Sequence, residues 1–133
     1  YQPSWYCQFL DNQILEGNNY HNSQSKEAVL GTLGRQKSPN AAPLALATIH
    51  RRNHLYSNAH LEIMGGGNPA APGTRDVIVE NNVVENNVVE NADVGLSVDS
   101  GVVGVLEHGN TFIQVKEPIK APAGMMYRVS EGD

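Results

Sequence analysis

The residues best suited to acid–base chemistry in this chain are His60 and Glu62, an imidazole and a carboxylate two positions apart. Side chains two positions apart on a β-strand point to the same face. The repeat alignment described below places Asp93 beside His60 and His21 beside Glu62, which completes one outward patch. Carboxylates close to histidine suit general acid–base catalysis or metal binding. In this patch Glu62 would be the acid or base, His60 would orient the substrate or share its proton, and Asp93 and His21 would assist.

Two interpretations of this patch stay open. In the functional one, Gly95 aligns beside Glu62 and leaves space for a ligand. The next outward residues on that strand are Ser97 and Asp99. In the other interpretation the patch only solvates the outer face, because any soluble sheet must be polar there and polar pairs stack by chance. Calcium binding by the chain stays open, and no other cofactor is expected.

A second polar cluster is the segment 50–54, with the sequence HRRNH. At a tight corner, two histidines and two arginines could supply a base and a clamp, because the arginine fork pairs both oxygens of a carboxylate. In the aligned segment of the next repeat, Glu85 stands in the place of Arg52. A position that accepts either charge is typical of a surface, so Arg52 is predicted to lie on the surface and this segment is the less favoured candidate site.

The elements that must position these groups are short apolar pieces separated by asparagine. An apolar side chain follows two residues after Asn12, Asn53, Asn86 and Asn110. Residues 53–63 align with residues 86–96 without a gap. Such short pieces cannot bury their apolar faces alone and must stack on their neighbours. This repeat predicts an all-β parallel β-helix, a solenoid of about four coils, with the four asparagines at equivalent corners.

The alignment also predicts which side chains fill the interior. The expected interior stack is Ile14, Leu55, Val88 and Phe112. On the strand after the corner, the expected neighbours are Leu61 and Ile63 above Val94 and Leu96. Asparagine suits the left-handed or turn conformation between strands. Stacked asparagines can bond to one another, as in the amide ladders of fibrils, which favours a structural role for them.

Two stretches interrupt the repeat, and a tail ends it. Residues 22–46 and 65–74 have the glycine and proline content of loops and are predicted as excursions, although a short helix over 25–33 is an alternative for part of the first. The prolines at and after Pro118 are expected to end the paired strands. The tail, residues 120–133, would form a last strand or a cap, and the whole chain would be one domain.

Two stretches resemble the right-handed parallel β-helix repeat proteins. They are residues 77–101, VIVENNVVENNVVENADVGLSVDSG, and residues 104–119, GVLEHGNTFIQVKEPI. That superfamily contains pectate lyases, polygalacturonases, and alginate and chondroitin lyases. The resemblance covers residues 5–119. It implies a right-handed β-helix whose substrate lies along an outward sheet face flanked by loops, and it carries over no family's catalytic motif.

Composition and charge limit the classes of partner that the sequence predicts. The formal net charge is −5 and the largest basic cluster is Arg51-Arg52, so nucleic acid, which needs a basic footprint, is not an expected partner. No apolar run approaches the roughly 18 residues of a membrane-spanning helix. The single cysteine, Cys7, rules out an internal disulfide and is expected to be a small buried residue.

Coil material begins almost at the first residue, so we expect a C-terminal fragment of a longer, secreted or extracellular protein. The favoured function is a carbohydrate-active module of a polysaccharide-degrading or polysaccharide-binding protein. If it is an enzyme, it would be a polysaccharide lyase or a glycoside hydrolase. The alternative is a structural module without catalytic activity. Open solenoid ends present unpaired strand edges, through which copies could associate end to end or as a homo-oligomer.

Overall fold

The computed structural model describes eight stretches of the chain: residues 4–14, 28–33, 45–56, 59–65, 74–80, 83–84, 93–123 and 126–128. Within these stretches the backbone forms fifteen β-strands and no helix. The strands make three sheets, and every strand pair is parallel. The described part of the chain is therefore all-β, as the sequence predicts.

Most of the strands are short. In chain order they are β1 (Ser4–Trp5), β2 (Gln8–Leu10), β3 (Gln13–Ile14), β4 (Ala28–Leu33), β5 (Ala45–Leu46), β6 (Ile49–Arg51), β7 (His54–Leu55), β8 (Ala59–Met64), β9 (Thr74–Glu80), β10 (Val83–Val84), β11 (Val94–Val98), β12 (Val102–His108), β13 (Thr111–Phe112), β14 (Glu117–Lys120) and β15 (Met126–Arg128). Strands of two or three residues cannot bury an apolar face alone and depend on their neighbours in the sheet.

The chain visits the three sheets in a repeating order. The first sheet contains β1, β2, β5, β6, β9, β12 and β15; the second has the order β13-β10-β7-β3; the third has the order β14-β11-β8-β4. Strands β1 to β4 pass from the first sheet to the second and then the third, and β5 to β8, β9 to β11, and β12 to β14 repeat this order. Each passage therefore pairs with the passage before it.

The second sheet confirms three of the four residues in the predicted interior stack and places Val84 in the position predicted for the remaining one. Ile14 pairs with Leu55, and Val84 pairs with both Leu55 and Phe112. The predicted third member was Val88, which lies outside the described residues. Near-identical valine pairs recur every five residues in this part of the sequence, and the ungapped alignment chose the wrong copy.

The asparagine corners need the same correction. Asn12, Asn53 and Asn110 directly precede β3, β7 and β13, which occupy matching places in the second sheet. In the sequence, the residue directly before β10 is Asn82 and not the predicted Asn86. Both of these asparagines lie outside the described residues, so three of the four predicted equivalences hold.

The third sheet is shifted by two residues from the predicted alignment. Leu61 pairs with Leu96 and Ile63 pairs with Val98, whereas the sequence placed them above Val94 and Leu96. A shift of two keeps every side chain on its own face. The inward assignment is therefore confirmed, since Leu61, Ile63 and Leu96 are fully buried and Val98 is 4% exposed.

Strand β4 replaces part of a predicted loop. It lies inside the predicted excursion 22–46 and also where a helix over 25–33 was the alternative, so both predictions are wrong for residues 28–33. All six of its residues pair with β8. Tertiary pairing of this kind overrides a weak local preference for helix. Of the second predicted excursion, residues 66–73 lie outside the described residues.

The end of the pattern also differs from the prediction. Glu117–Lys120 pairs with β11 although it contains Pro118. This strand lies at the outer end of the third sheet, where a missing N–H is tolerated on the unpaired side. The tail does add a last strand, as predicted, because Met126–Arg128 pairs with β12.

One hydrophobic cluster draws on all three sheets. Its buried members are Leu55, Ala59, Leu61, Ile63, Val77, Leu96, Val98, Val102 and Val105, with Ile14, Phe112, Val115, Ile119 and Ala121 packed against them. The core therefore lies between the sheets. Polar residues that alternate with these buried ones along a strand face outward, and this alternation sets the position of the candidate site.

Candidate functional site

The outer face of the third sheet aligns three polar residues across three strands. Glu62 of β8 pairs with Ser97 of β11, and Ser97 pairs with Lys120 of β14. Each flanks a residue that belongs to the core or packs on it, so all three face away from the core. Neighbouring strands lie about 4.8 Å apart. Glu62, Ser97 and Lys120 thus form a continuous row, which we call the polar row.

A groove of about 420 Å³ adjoins the polar row. Its lining residues are Ser97, Val98, Asp99, Ser100, Lys120, Ala121 and Pro122. Ser100 and Lys120 are exposed and Asp99 is partly buried, so the groove is accessible from solvent. The backbone N–H of Asp99 donates to the carbonyl of Ile63 at 2.9 Å, which holds this wall of the groove against β8.

The structure brings His60 and Glu62 together, as the sequence predicts. The His60 Nε2 atom lies 3.8 Å from Glu62 Oε2. This distance is too long for a hydrogen bond, but it makes the imidazole and the carboxylate neighbours on one strand. The side chains are 11% and 21% exposed, so His60 is more deeply buried than an outward position predicts. Glu62 is the member of the pair that solvent reaches more easily.

Asp93 does not join this pair. Its Oδ1 atom accepts a hydrogen bond from the Lys116 Nζ atom at 2.6 Å, and both side chains are largely exposed. The bond to Asp93 raises the pKa of the Lys116 ammonium. The predicted place of Asp93 beside His60 is wrong because the third sheet is shifted by two residues, as described above.

The place predicted for His21 is taken by another residue. His21 lies outside the described residues, and the strand that pairs with β8 on this side is β4. In that register Val29 lies beside His60 and Gly31 lies beside Glu62. The position beside Glu62 that the alignment gave to His21 is thus occupied by Gly31 of β4, because the first copy of this strand lies later in the chain than the alignment placed it.

Gly95 does not leave space for a ligand. A Cβ atom at this position would lie 2.3 Å from the Phe112 ring and 2.7 Å from the carbonyl oxygen of Pro118. Both distances are far below contact distance, so the space is filled by protein. Gly95 permits close packing of Phe112, and the expectation that it opens the site is wrong.

His50, the first histidine of the segment 50–54, is not a surface base. His50 is fully buried, its ring stacks on Phe9 at 4.9 Å between centroids, and its Nε2 atom is hydrogen-bonded to Thr32 Oγ1 at 2.7 Å. Burial lowers the pKa of His50 to about 4. The imidazole is therefore neutral near neutral pH and part of the interior.

Arg52 in the same segment forms an ion pair with Asp11. Its Nε and Nη2 atoms donate to the two carboxylate oxygens of Asp11 at 2.7 and 2.8 Å. This bond lowers the pKa of Asp11.

Arg52 and Asp11 have left-handed backbone conformations, with φ of 54° and 56°. They occupy matching corners after β6 and β2. The residue before the asparagine, and not the asparagine itself, adopts the left-handed conformation. Arg52 is exposed, as predicted for its position, whereas His50 and Asn53 of the same segment are fully buried.

Asn53 and Asn12 form the predicted amide ladder. The Oδ1 atom of Asn53 accepts hydrogen bonds from the backbone N and the Nδ2 of Asn12, at 3.0 and 2.8 Å. The Nδ2 atom of Asn53 donates to the carbonyl of Phe9 at 3.0 Å. Asn53 is fully buried, so these bonds satisfy an amide that would otherwise be costly to bury. Its role is structural.

The polar row contains a residue that sequence reasoning missed. Lys120 was assigned to the tail because the prolines around it were expected to stop strand pairing. The signal that would have identified Lys120 is the alternation of a strand, in which an apolar residue is followed by an outward polar one. Here Ile119 packs against the core and Lys120 follows it. Ser97 and Asp99 were predicted to point outward, but they were not grouped with Glu62.

A metal cluster and a membrane-spanning helix are two features that the described part of the chain does not contain. No group of three or more His, Cys, Asp or Glu side chains there is placed to bind a metal ion. The same residues contain no helix long and apolar enough to cross a membrane. Comparisons with protein-family models, with curated proteins and with solved structures found no match to this chain. The polar row and the adjoining groove form the candidate functional site.

Proposed function

We propose that this chain is a β-solenoid module, a right-handed parallel β-helix of about four coils, that binds polysaccharide along the outer face of its third sheet. Support for the fold comes from the repeating order in which the chain visits three parallel sheets. Support for the function comes from one observation, the polar row Glu62-Ser97-Lys120 and the groove that adjoins it.

The chemistry of the groove fits a ligand rich in hydroxyl groups. Sugar hydroxyls both donate and accept hydrogen bonds. Asp99 offers acceptors, Lys120 offers donors, and the Ser97 and Ser100 hydroxyls offer both. An extended ligand that runs across the strands meets one member of the polar row about every 4.8 Å. The open, elongated arrangement favours a chain over a compact ligand.

The ligand can be neutral or acidic. Lys120 is the cation of the row and would pair with the carboxylate of an acidic sugar. Glu62 and Asp99 would bond to sugar hydroxyls. If the bound polysaccharide is cleaved, Glu62 is the acid–base group and His60 the group that stabilises its charge, since this is the histidine–carboxylate pair found at the row.

Replacing Lys120 with alanine is expected to weaken polysaccharide binding about tenfold, because a hydrogen bond to a charged group contributes roughly 1.5–3 kcal/mol. Binding is measured by affinity electrophoresis or calorimetry against pectin, alginate and a glycosaminoglycan. The matched control is Lys116→Ala, which removes an exposed lysine that is bonded to Asp93 away from the groove. Equal affinity for both variants on every polysaccharide that binds the parent would exclude this groove.

Cleavage is tested on the same substrates with Glu62→Gln beside Glu117→Gln. Glu117 is an exposed carboxylate on β14 outside the groove lining. If the chain is an enzyme, Glu62→Gln abolishes turnover and Glu117→Gln retains it. If the parent binds but does not cleave, the module is a binding module. If it does neither, the proposal fails.

A second candidate function is assembly through strand edges. Among the described strands, β1, β2, β3 and β4 are outermost on one side of the three sheets. Outermost strands present unpaired N–H and C=O groups that pair readily with another chain. Trp5 and Tyr6 lie at this edge and are 45% and 71% exposed. This edge would accept a second copy or a further β-solenoid unit.

Assembly predicts a mass that rises with concentration, measured by light scattering over a dilution series. Trp5→Lys should hold the chain as a monomer, because charge at an edge opposes pairing. Val103→Lys is the control, since Val103 is also an exposed apolar residue but lies on a strand paired on both sides. A parent that stays monomeric at every concentration would rule assembly out.

A further inference from the structure

The three sheets end in two edges that differ in composition. Among the described strands, β1 to β4 are outermost on one side, which we call the first edge, and β13 to β15 are outermost on the other, the opposite edge. The strands of the first edge contain no charged residue and no proline. Those of the opposite edge contain Glu117, Pro118, Lys120 and Arg128. Charge and proline are devices that keep edge strands from pairing with another chain.

The backbone and the asparagine corner also close the opposite edge. The Glu117 N–H donates to the Asp93 carbonyl at 2.9 Å. Because alternate residues of a paired strand direct their N–H groups to opposite sides, Pro118 stands where a further strand would need a donor. At the corner before β13, the Asn110 Nδ2 atom donates to Glu107 Oε1 at 3.1 Å. The amide that would extend the asparagine ladder is thus already bonded within the chain.

The first edge has the opposite character. On its outer side no described strand pairs with β1, β2 or β3, and every residue from 4 to 14 is at least partly exposed. These residues include Phe9 and Ile14, whose apolar side chains are only partly covered. Trp5 and Tyr6 are 45% and 71% exposed. An edge without protecting charges, beside exposed aromatic side chains, is typical of a surface that associates.

Charge does not oppose the meeting of two first edges. Within residues 4–14 the charged side chain is Asp11, and it is bonded to Arg52 by two hydrogen bonds of 2.7 and 2.8 Å. The whole chain has a formal net charge of −5, so many other surfaces would bring like charges together. Two copies of the first edge meet without that repulsion.

We propose that two copies of this chain associate through their first edges about a two-fold axis. The contact is isologous, because each first edge meets the same edge of its partner, and the assembly therefore closes at two copies. Strands of the two copies run antiparallel across the contact, where their outward N–H and C=O groups pair. Trp5 and Tyr6 become buried there. This contact rests on assembly, the second candidate function, and does not involve the polysaccharide groove.

Trp5 reports on this contact directly, because it is the only tryptophan of the chain. Its fluorescence should shift to shorter wavelength as the protein concentration rises, since pairing removes the indole from water. Light scattering over the same series should level off at twice the mass of the chain. A mass that rises beyond two copies would leave assembly standing but overturn the two-fold contact. A chain that stays monomeric would overturn both and would leave polysaccharide binding untouched.

Gln13→Lys and Thr111→Lys form a matched pair of variants. Both residues are exposed and lie in one row of the second sheet, Gln13 at the first edge and Thr111 at the opposite edge. Gln13→Lys places a like charge on each side of the contact and should raise the dimer dissociation constant at least about tenfold. Thr111→Lys should keep the value of the parent. Equal dissociation constants for the two variants would overturn the proposal.

Hydrogen exchange of the parent needs no variant and decides the matter if Gln13→Lys does not fold. Backbone amides of β1 to β4 should exchange more slowly at concentrations above the dimer dissociation constant than below it. Amides of β13 to β15 should exchange at the same rate in both conditions. Protection that appears at the opposite edge, or at neither edge, would overturn the two-fold contact.

Discussion

Replacing Leu55 with alanine is expected to destabilise the protein by about 2–5 kcal/mol. Leu55 is fully buried, lies between Ile14 and Val84 in the second sheet, and belongs to the central hydrophobic cluster. Its strand contains only two residues, so packing of this side chain is a large share of what holds the strand in place. The loss combines the transfer energy of the removed carbons with the cavity left behind.

The measurement is urea or thermal unfolding of the variant beside Gln13→Ala. Gln13 occupies the neighbouring position on β3, pairs with His54 and is exposed. Exposed substitutions of this kind usually change stability by less than about 0.5 kcal/mol. Similar losses in the two variants would mean that the inward and outward positions of the second sheet have been exchanged.

The same sheet indicates how far the sequence alone determines this fold. An asparagine followed by an apolar residue located β3, β7 and β13 correctly, because the buried amide of Asn53 and the buried side chain of Leu55 are both required at the corner. The sequence could not select Val84 over Val88. The valine–asparagine echo offers several near-equivalent registers, and only pairing with Leu55 and Phe112 distinguishes them.

The candidate site likewise contains some features that the sequence predicts and others that it does not. The adjacency of His60 and Glu62 followed from the two-residue period of a strand, which depends on local sequence alone. The contribution of Lys120 depends on β14 being an outermost strand that tolerates Pro118. That is a property of the assembled sheet, and local pattern cannot reveal it. Gly95 was misjudged for the same reason, because Phe112, which is distant in sequence, fills the space beside it.

Lowering the pH from 6.5 to 4 is expected to destabilise the protein by about 3 kcal/mol through His50 alone. Burial lowers the pKa of His50 from 6.5 to about 4 in the folded chain, and each unit of difference corresponds to about 1.4 kcal/mol. The unfolded chain therefore takes up the proton more readily. Stability falls as the pH drops through this window, and the His50 contribution becomes constant below about 4.

The measurement is the free energy of unfolding by urea at several pH values for the parent and for His50→Gln. Glutamine does not titrate and can still bond to the Thr32 hydroxyl, so the variant should lose much of the decline between pH 6.5 and 4. His108→Gln is the control, because His108 is only partly buried, and it should keep the decline of the parent. The Asp11–Arg52 pair acts in a lower window: its effect is lost as the pH falls below about 3.8, since the pKa of Asp11 is lowered by Arg52. A decline that is unchanged in His50→Gln would place the acid-sensitive group elsewhere and would contradict the buried, neutral state of His50.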